Sequence, residues 1–157
     1  MFREMRRNRQ QVSEEECKRI LCEEKRGVLA VLGDEGYPYA VPINFLYDRE
    51  SNRIFFHCSR EGHKLDAIKR YDKVCFTVHD SGYQKEDWSY YVTSVVVFGR
   101  ASIMEEGEEK YNICRRFGEK YIPTKPELED EMNRAYARVN MVCISIEHMT
   151  GKLVHEK

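Results

Sequence analysis

Strand-like stretches joined by short turns constrain the fold of this chain more than any other feature. β-Branched and aromatic residues bounded by turn residues predict strands at 28–32, 54–58, 74–79 and 90–104, and one extended segment that 37–42 and 44–47 form together. Few helices lie between these strands, which disfavours a doubly wound parallel sheet. An antiparallel barrel fits better, because closure of a sheet removes its exposed edges. We therefore predict a mainly β fold, a β-barrel with flanking α-helices.

Two local features of the sequence predict where a helix begins and where a strand bends. Ser13 and Glu16 form a capping box, which predicts a short helix that ends near Glu24. The long strand 90–104 should bend near Gly99, since an interior glycine often marks a bulge.

Helices are also predicted over 63–70 and, after the long strand, over 105–117 and 127–138. Pro123 and Pro126 separate the last two. We call residues 105–138 the helical excursion. The final strand is predicted over 142–146, with the tail starting at Thr150-Gly151.

Length and charge limit the possible roles. A chain of 157 residues fits one domain, 1–157, and its net charge of −1 favours neither nucleic acid nor an anionic membrane as a partner. No apolar run is long enough for a membrane helix, and the first residues lack the apolar core of a secretory signal. Residues 1–12 form a basic N-terminal arm, which either reaches an anion or is disordered; its arginines are Arg3, Arg6, Arg7 and Arg9.

The cysteines are scattered and contain no C-x-x-C pair. Most lie within apolar patterns, which is typical of free thiols in a reducing compartment. We therefore expect a cytoplasmic protein without disulfides. The six residues are Cys17, Cys22, Cys58, Cys75, Cys114 and Cys143.

The segment 54–68, IFFHCSREGHKLDAI, leads from a strand through a polar turn into a helix. A helix start offers unpaired N–H groups and a partial positive charge, and Ser59, His63 and Lys64 lie beside it. Together they predict a seat for a phosphate monoester. The alternative is an ordinary solvated helix start.

The strand at 37–47 contains Pro38 and Pro42, which cannot donate to a strand ladder, so it should be an edge strand or bend. Backbone groups of Val41, Ile43 and Asn44 would then be free to contact the polar rim of a flat ring. The alternative is an edge strand whose prolines block aggregation.

His57 ends a predicted strand and has no third ligand at metal spacing, so a metal site is disfavoured. It is either a hydrogen-bonding residue of a site or a satisfied histidine of the core or rim. The run Ser94 to Gly99, with four consecutive apolar residues, indicates either a subunit interface or plain core. No glycine-rich nucleotide motif is present.

Five stretches, in this order and spacing, resemble the flavin-binding split-barrel proteins of the pyridoxamine 5′-phosphate oxidase-like superfamily. The resemblance is closer to the 5-nitroimidazole resistance branch. It implies a six-stranded antiparallel split barrel and a homodimer with FMN at the dimer interface. The stretches are MFREMRR, YPYAVPINFLY, IFFHCSREGHKLDAI, YYVTSVVVFGRA and IEHMTGK.

The resemblance also implies a set of flavin contacts. His57 would lie near the reactive face of the flavin, as the catalytic or substrate-orienting residue. The isoalloxazine ring would lie along Val41, Pro42, Ile43 and Asn44. The neighbouring strand would supply His57, Cys58 and Ser59, the phosphate would be held by His63 and Lys64, and the long strand would add Ser94 and Val95.

The chain departs from true pyridoxamine phosphate oxidases, which end in an Arg-Leu-containing segment that grips the substrate phosphate. This chain ends TGKLVHEK. The expected function is an FMN-dependent reductase, in which a donor such as NAD(P)H reduces the flavin and a nitroaromatic or similar small molecule accepts the electrons. The alternatives are a flavin-binding or stress-associated protein without dedicated turnover, and a haem-binding split barrel.

Overall fold

The computed structural model describes residues 1–155, which form four α-helices and eight β-strands. The helices are α1 (Glu14–Glu23), α2 (His63–Arg70), α3 (Glu108–Tyr121) and α4 (Lys125–Ala135). The strands are β1 (Arg26–Leu32), β2 (Pro38–Asn44), β3 (Leu46–Asp48), β4 (Arg53–Ser59), β5 (Lys73–His79), β6 (Tyr83–Gln84), β7 (Tyr90–Ile103) and β8 (Val139–His155).

One antiparallel sheet contains all eight strands. Its neighbours follow the order β2-β1-β5-β7-β8-β4-β3, with β6 paired to β7. The edge strand β2 also packs against β4, near the other end of this order. The sheet therefore curls into a split barrel, which confirms the predicted mainly β class with flanking helices.

The sheet has eight strands where six were expected. Phe45 interrupts the extended segment, which therefore divides into β2 and β3. The predicted loop after β5 contains the short strand β6, whose Tyr83 pairs with Tyr91. Both additions are short and leave the order of the long strands unchanged.

The last strand is much longer than predicted. β8 continues through Thr150 and Gly151 and pairs with β7 along nearly its full length. The sequence predicted a tail from Thr150 onward, because a Thr-Gly pair is typical of turns. Gly151 instead permits a close approach of α1, since a Cβ at this position would lie 2.4 Å from the Cys17 sulfur.

The bend predicted at Gly99 is confirmed as a register shift between Phe98 and Gly99. A Cβ on Gly99 would lie 2.4 Å from the Ser145 carbonyl oxygen. Glycine is therefore needed for close contact between the two strands at this point.

Side chains alternate between the inner and outer sides of the barrel. On β4, Ile54, Phe56 and Cys58 face the inner core, where they meet Val95 and Val97 of β7. This core is continuous with the buried face of α1, whose predicted Ser13 cap is confirmed by a hydrogen bond from the Glu16 N–H.

A second apolar cluster lies outside the barrel, where α3 covers β4 and β8. Phe55 points outward from β4 and packs with Ile113 and Phe117 of α3 and with Met141 and Cys143 of β8. This layer fixes the helical excursion on the outer surface, next to the end of β4.

The bounds of the helical excursion differ from the predicted ones. α3 runs from Glu108 to Tyr121 rather than over 105–117. α4 begins at Lys125 rather than 127, because Thr124 caps it and Pro126 lies in its first turn, where a missing N–H costs little.

The basic N-terminal arm lies against the barrel. Gln11 forms a bridge with Lys152, and the Phe2 ring stacks on His148 with 4.5 Å between centroids. All six cysteines are free, as predicted. Within residues 1–155, no helix has the length and apolar character needed to cross a membrane, and no cluster of three metal-ligating side chains occurs.

Candidate functional site

The end of β4 directs alternate side chains to opposite sides. Cys58 is buried in the inner core, whereas His57 and Ser59 project from the outer surface. The His57 ring packs edge-on against Phe117 of α3, with 4.8 Å between centroids. His57 therefore lies where the barrel meets the helical excursion, and Cys58 can offer a ligand only its backbone.

The start of α2 has the features of an anion seat. Gly62 is its N-cap residue, with φ of +135°, and no side chain caps the helix. The N–H groups of Leu65 and Asp66 both donate to the Gly62 carbonyl oxygen, at 2.9 and 3.1 Å. A Cβ on Gly62 would meet nothing within 4 Å, so the space above this turn is open. The N–H groups left for a phosphate are therefore those of His63 and Lys64, the first two residues of the helix.

Of the two predicted phosphate ligands on α2, Lys64 is half-buried and close enough to His57 to influence its titration. His63 stacks on Tyr39, with 4.2 Å between ring centroids. Its Nε2 also lies 3.6 Å from a carboxylate oxygen of Asp34, and Arg70 pairs with the same carboxylate. His63 therefore joins α2 to the turn that precedes β2.

Two other residues of the polar turn hold its shape. The Ser59 hydroxyl donates to the Glu61 carbonyl oxygen at 2.6 Å. Arg60 donates to the Ala137 carbonyl oxygen at 2.7 Å and approaches Glu106 at 3.4 Å. The arginine thus attaches the turn to both ends of the helical excursion instead of facing the seat.

A cleft of about 550 Å³ lies between the outer surface of the barrel and the helices α3 and α4. His57 and Asn44, two of the predicted site residues, both line it. The remaining walls come mainly from the helical excursion, with Phe117, Gly118, Tyr121, Leu128, Met132 and Tyr136 among them.

The environment of His57 favours the neutral imidazole. Burial lowers the pKa of His57 below its ordinary value of 6.5; Glu131 of α4 acts against this shift, and Lys64 adds to it. The ring is therefore neutral at physiological pH, with one nitrogen able to donate and the other able to accept.

Tyr121 fixes the end of α3 to the break between β2 and β3. Its hydroxyl oxygen accepts from the Phe45 N–H at 2.9 Å, and it lies 2.7 Å from the Phe45 carbonyl oxygen and 2.5 Å from that of Lys25. The single hydroxyl proton serves one of these carbonyls at a time. This contact keeps Asn44, the residue before the break, at the cleft.

The proline-containing strand is an edge strand, as predicted, because β2 has no strand partner beyond β1 in the described part of the chain. Val41 and Ile43 pack toward the inner core, and the outer side carries Pro42 and Asn44. The expected ring contacts on this strand thus divide between its two faces.

Ser94 and Val95 do not join His57 within one chain. Val95 is fully buried in the inner core, and Ser94 is half-buried opposite Lys152 of β8. His57 lies opposite Met141 of the same strand, eleven residues from Lys152. That separation is roughly 35 Å along an extended strand.

Sequence reasoning missed the helical side of the site. Phe117, Tyr121 and Glu131 lie about 60 to 75 residues after His57, beyond the reach of any local motif. Their only signal was the amphipathic pattern of the excursion, which indicated burial but not the surface that it covers.

Comparison with known proteins supports the architecture. A sequence model described as pyridoxamine 5′-phosphate oxidase matches residues 13–153. A sequence search of curated proteins finds no match.

Several solved structures share the fold. A candidate 5-nitroimidazole antibiotic resistance protein from Bacteroides thetaiotaomicron superposes with a TM-score of 0.77 at 21% identity, covering 92% of this chain and 87% of its own. An FAD-binding protein from Mycobacterium smegmatis gives 0.69 at 19% identity, with coverage of 94% and 99%. A flavocytochrome from Azotobacter vinelandii gives 0.70 at 20% identity, with coverage of 96% and 72%.

The charges around His57 yield a prediction for its titration. Replacing Lys64→Met removes a nearby positive charge, so the pKa of His57 should rise; replacing Glu131→Gln removes a negative charge and should lower it further. Histidine NMR signals followed against pH measure both shifts. Lys69→Met, at the exposed end of α2, is the control and should leave the value unchanged. Shifts of the same sign in the two variants would contradict this arrangement.

Proposed function

Because the chain belongs to the pyridoxamine 5′-phosphate oxidase family, we propose that it binds FMN and acts as a flavin-dependent reductase. The observation that carries the proposal is the open, uncapped start of α2 beside Lys64 and next to His57. A phosphate requires positive charge and N–H donors, and this turn offers both.

We place the FMN phosphate at this turn, within reach of Ser59, His63 and Lys64. The Ser59 hydroxyl donates to Glu61 in the free protein and would turn toward the phosphate on binding. Lys64 supplies the charge as an ammonium. No side chain caps the helix start, and the acidic residue in its first turn is Asp66.

The flavin ring would extend from the phosphate toward His57 and the edge strand β2. Pro42 and Asn44 are on the outer side of that strand, while Val41 and Ile43 brace it from within. Cys58 would contribute backbone atoms, because its thiol is buried in the core.

The contacts expected from Ser94 require a second subunit. Ser94 and His57 lie near opposite ends of β8, too far apart in one chain to touch the same ring. One face of the barrel also exposes apolar side chains, with Leu32 47% and Phe98 41% exposed. A homodimer would cover this face and bring Ser94 of one subunit to the flavin of the other.

When bound, FMN would supply the redox chemistry, which is electron transfer from a reduced nicotinamide to an acceptor. His57 is the protein group positioned for proton transfer. As a neutral imidazole it can hold an acceptor oxygen through its N–H, and its lowered pKa makes the protonated form a readier acid.

A nitroaromatic acceptor is the reaction class we favour. The relative from Bacteroides thetaiotaomicron is named for 5-nitroimidazole resistance, and its fold covers 92% of this chain. Nitro reduction consumes protons together with electrons, which a histidine at the acceptor can deliver.

Lys64→Ala should weaken FMN binding by about 1–3 kcal/mol, the cost of a lost charge-assisted contact. This corresponds to a rise in Kd of roughly 5-fold to 150-fold. Quenching of flavin fluorescence in a titration of the protein measures the affinity. Lys69→Ala, on the same helix but away from its start, is the matched control and should bind FMN as the wild type does. Equal affinity in the two variants would remove Lys64 from the phosphate site.

Anaerobic stopped-flow tests the reductase. NAD(P)H should bleach the FMN absorption of loaded protein, and a nitroaromatic should restore it. In His57→Gln saturated with FMN the restoring step should slow by about 100-fold or more, the usual contribution of a positioned proton donor. If NAD(P)H leaves the flavin oxidised and no nitroaromatic reoxidises chemically reduced protein, the reductase proposal is wrong. A Soret band in the purified protein would point to haem instead.

Sedimentation velocity tests the subunit arrangement. The wild-type protein should sediment as a dimer, and Phe98→Glu should shift it toward monomer by placing a charge in the apolar face. Tyr111→Glu, at 40% exposure on α3, makes a similar change elsewhere and should remain dimeric. A wild-type monomer saturated with FMN would contradict a site shared between subunits.

A further inference from the structure

The cleft between the barrel and the helices α3 and α4 has walls that suit a flat ring. Phe117, Leu128 and Met132 are buried apolar side chains that border it, and Tyr121 and Tyr136 add aromatic surface. Its volume of about 550 Å³ lies in the range of small-molecule sites. His57 and Asn44 are the residues that the cleft shares with the proposed flavin site.

The charged groups in the cleft are mostly acidic. Three carboxylates of α4, those of Glu127, Asp130 and Glu131, line it together with one guanidinium, that of Arg134. Arg134 pairs with Glu131 and so offsets one of these three negative charges. The remaining lining residues are uncharged, with His57 neutral, and the cleft therefore carries an excess of two negative charges.

The negative charge of the cleft acts on the position beside His57, where an acceptor would react. Glu131 raises the pKa of His57 even though it is paired with Arg134, so its carboxylate still acts at the His57 ring. A ligand against the His57 ring would therefore feel the same carboxylate, and a second negative charge there would be repelled. Lys64 lies on the side of the phosphate seat, where the phosphate would neutralise it.

We propose that this cleft is the acceptor pocket, and that it selects neutral or cationic flat aromatic compounds over those that carry a carboxylate. The inference rests on the proposed reductase function and specifies its substrate class. Apolar and aromatic walls hold the ring, His57 holds its reactive substituent, and the carboxylates of α4 select its charge.

Three probes with the same nitrophenyl ring separate shape from charge: 4-nitrobenzylamine is cationic, 4-nitrobenzamide is neutral and 4-nitrobenzoate is anionic. Isothermal titration of each into protein loaded with oxidised FMN measures affinity without turnover. The amine should bind about tenfold more tightly than the benzoate at low salt, and the affinity of the amide should lie between the two. Added salt should reduce the difference in affinity between amine and benzoate.

Two variants on α4 locate the effect. Glu131→Gln should bring the affinities of amine and benzoate closer together. Glu129→Gln makes the same change on the same helix, but Glu129 pairs with Arg115 outside the cleft, and the difference should persist. Ala135→Phe adds bulk inside the cleft and should weaken all three probes, with the fold checked by circular dichroism.

The outcomes separate this inference from the function on which it rests. FMN affinity is measured independently by flavin fluorescence, and its absence would overturn the flavin proposal. FMN binding with equal affinities for the three probes, or with benzoate the tightest, would overturn charge selection. Unchanged probe binding in Ala135→Phe would move the acceptor out of the cleft.

Discussion

The rest of this structure depends on the long antiparallel pairing of β7 with β8. Thirteen residue pairs connect the two strands, and the register shift at Gly99 bends both of them. β5, β1 and β2 extend from one side of this ribbon, and β4 and β3 from the other. Because the ribbon is bent, the edge strand β2 returns to meet β4. The two strands that border the candidate site are thus neighbours in space although they lie far apart in the order of the sheet.

The helical excursion turns the outer surface of this barrel into a site. Alone, the outward face of β4 would expose Phe55 and His57 to solvent. α3 covers Phe55 and leaves a cleft beside His57, and two polar contacts fix its position. The Tyr121 hydroxyl accepts a hydrogen bond from the Phe45 N–H, and Arg60 donates one to the carbonyl oxygen of Ala137. The same polar turn that offers a phosphate seat therefore also holds the cover of the cleft.

The charged groups differ between the two sides of His57. On the α2 side of His57 the chain presents Lys64 and unpaired helix N–H groups, which suit an anion. On the α4 side it presents carboxylates, which disfavour one. His57 lies between the two and is kept neutral chiefly by burial. A site with opposite preferences on its two sides can hold a phosphorylated cofactor and still admit an uncharged or cationic second molecule.

The sequence by itself determined the class of fold and suggested one half of the candidate site. Strand patterning with few intervening helices indicated an antiparallel barrel, the capping box at Ser13 located α1, and the interior Gly99 marked the bend. The strand-turn-helix of residues 54–68 gave His57 and Lys64 as candidates, because a phosphate seat can be built from residues that are neighbours in the chain. These signals are local, so a single sequence contains them.

Only the tertiary structure decided the other half. No local pattern could show that β8 continues past Thr150, since that depends on pairing with β7 and on a close approach of α1 to Gly151. Nor could it show that Cys58 and Val95 face the inner core, or that Ser94 lies far from His57 along β8. Above all, Phe117, Tyr121 and Glu131 reach the cleft only because packing places α3 and α4 on the barrel. Contacts between distant segments depend on how the sheet closes, and closure is a property of the whole chain.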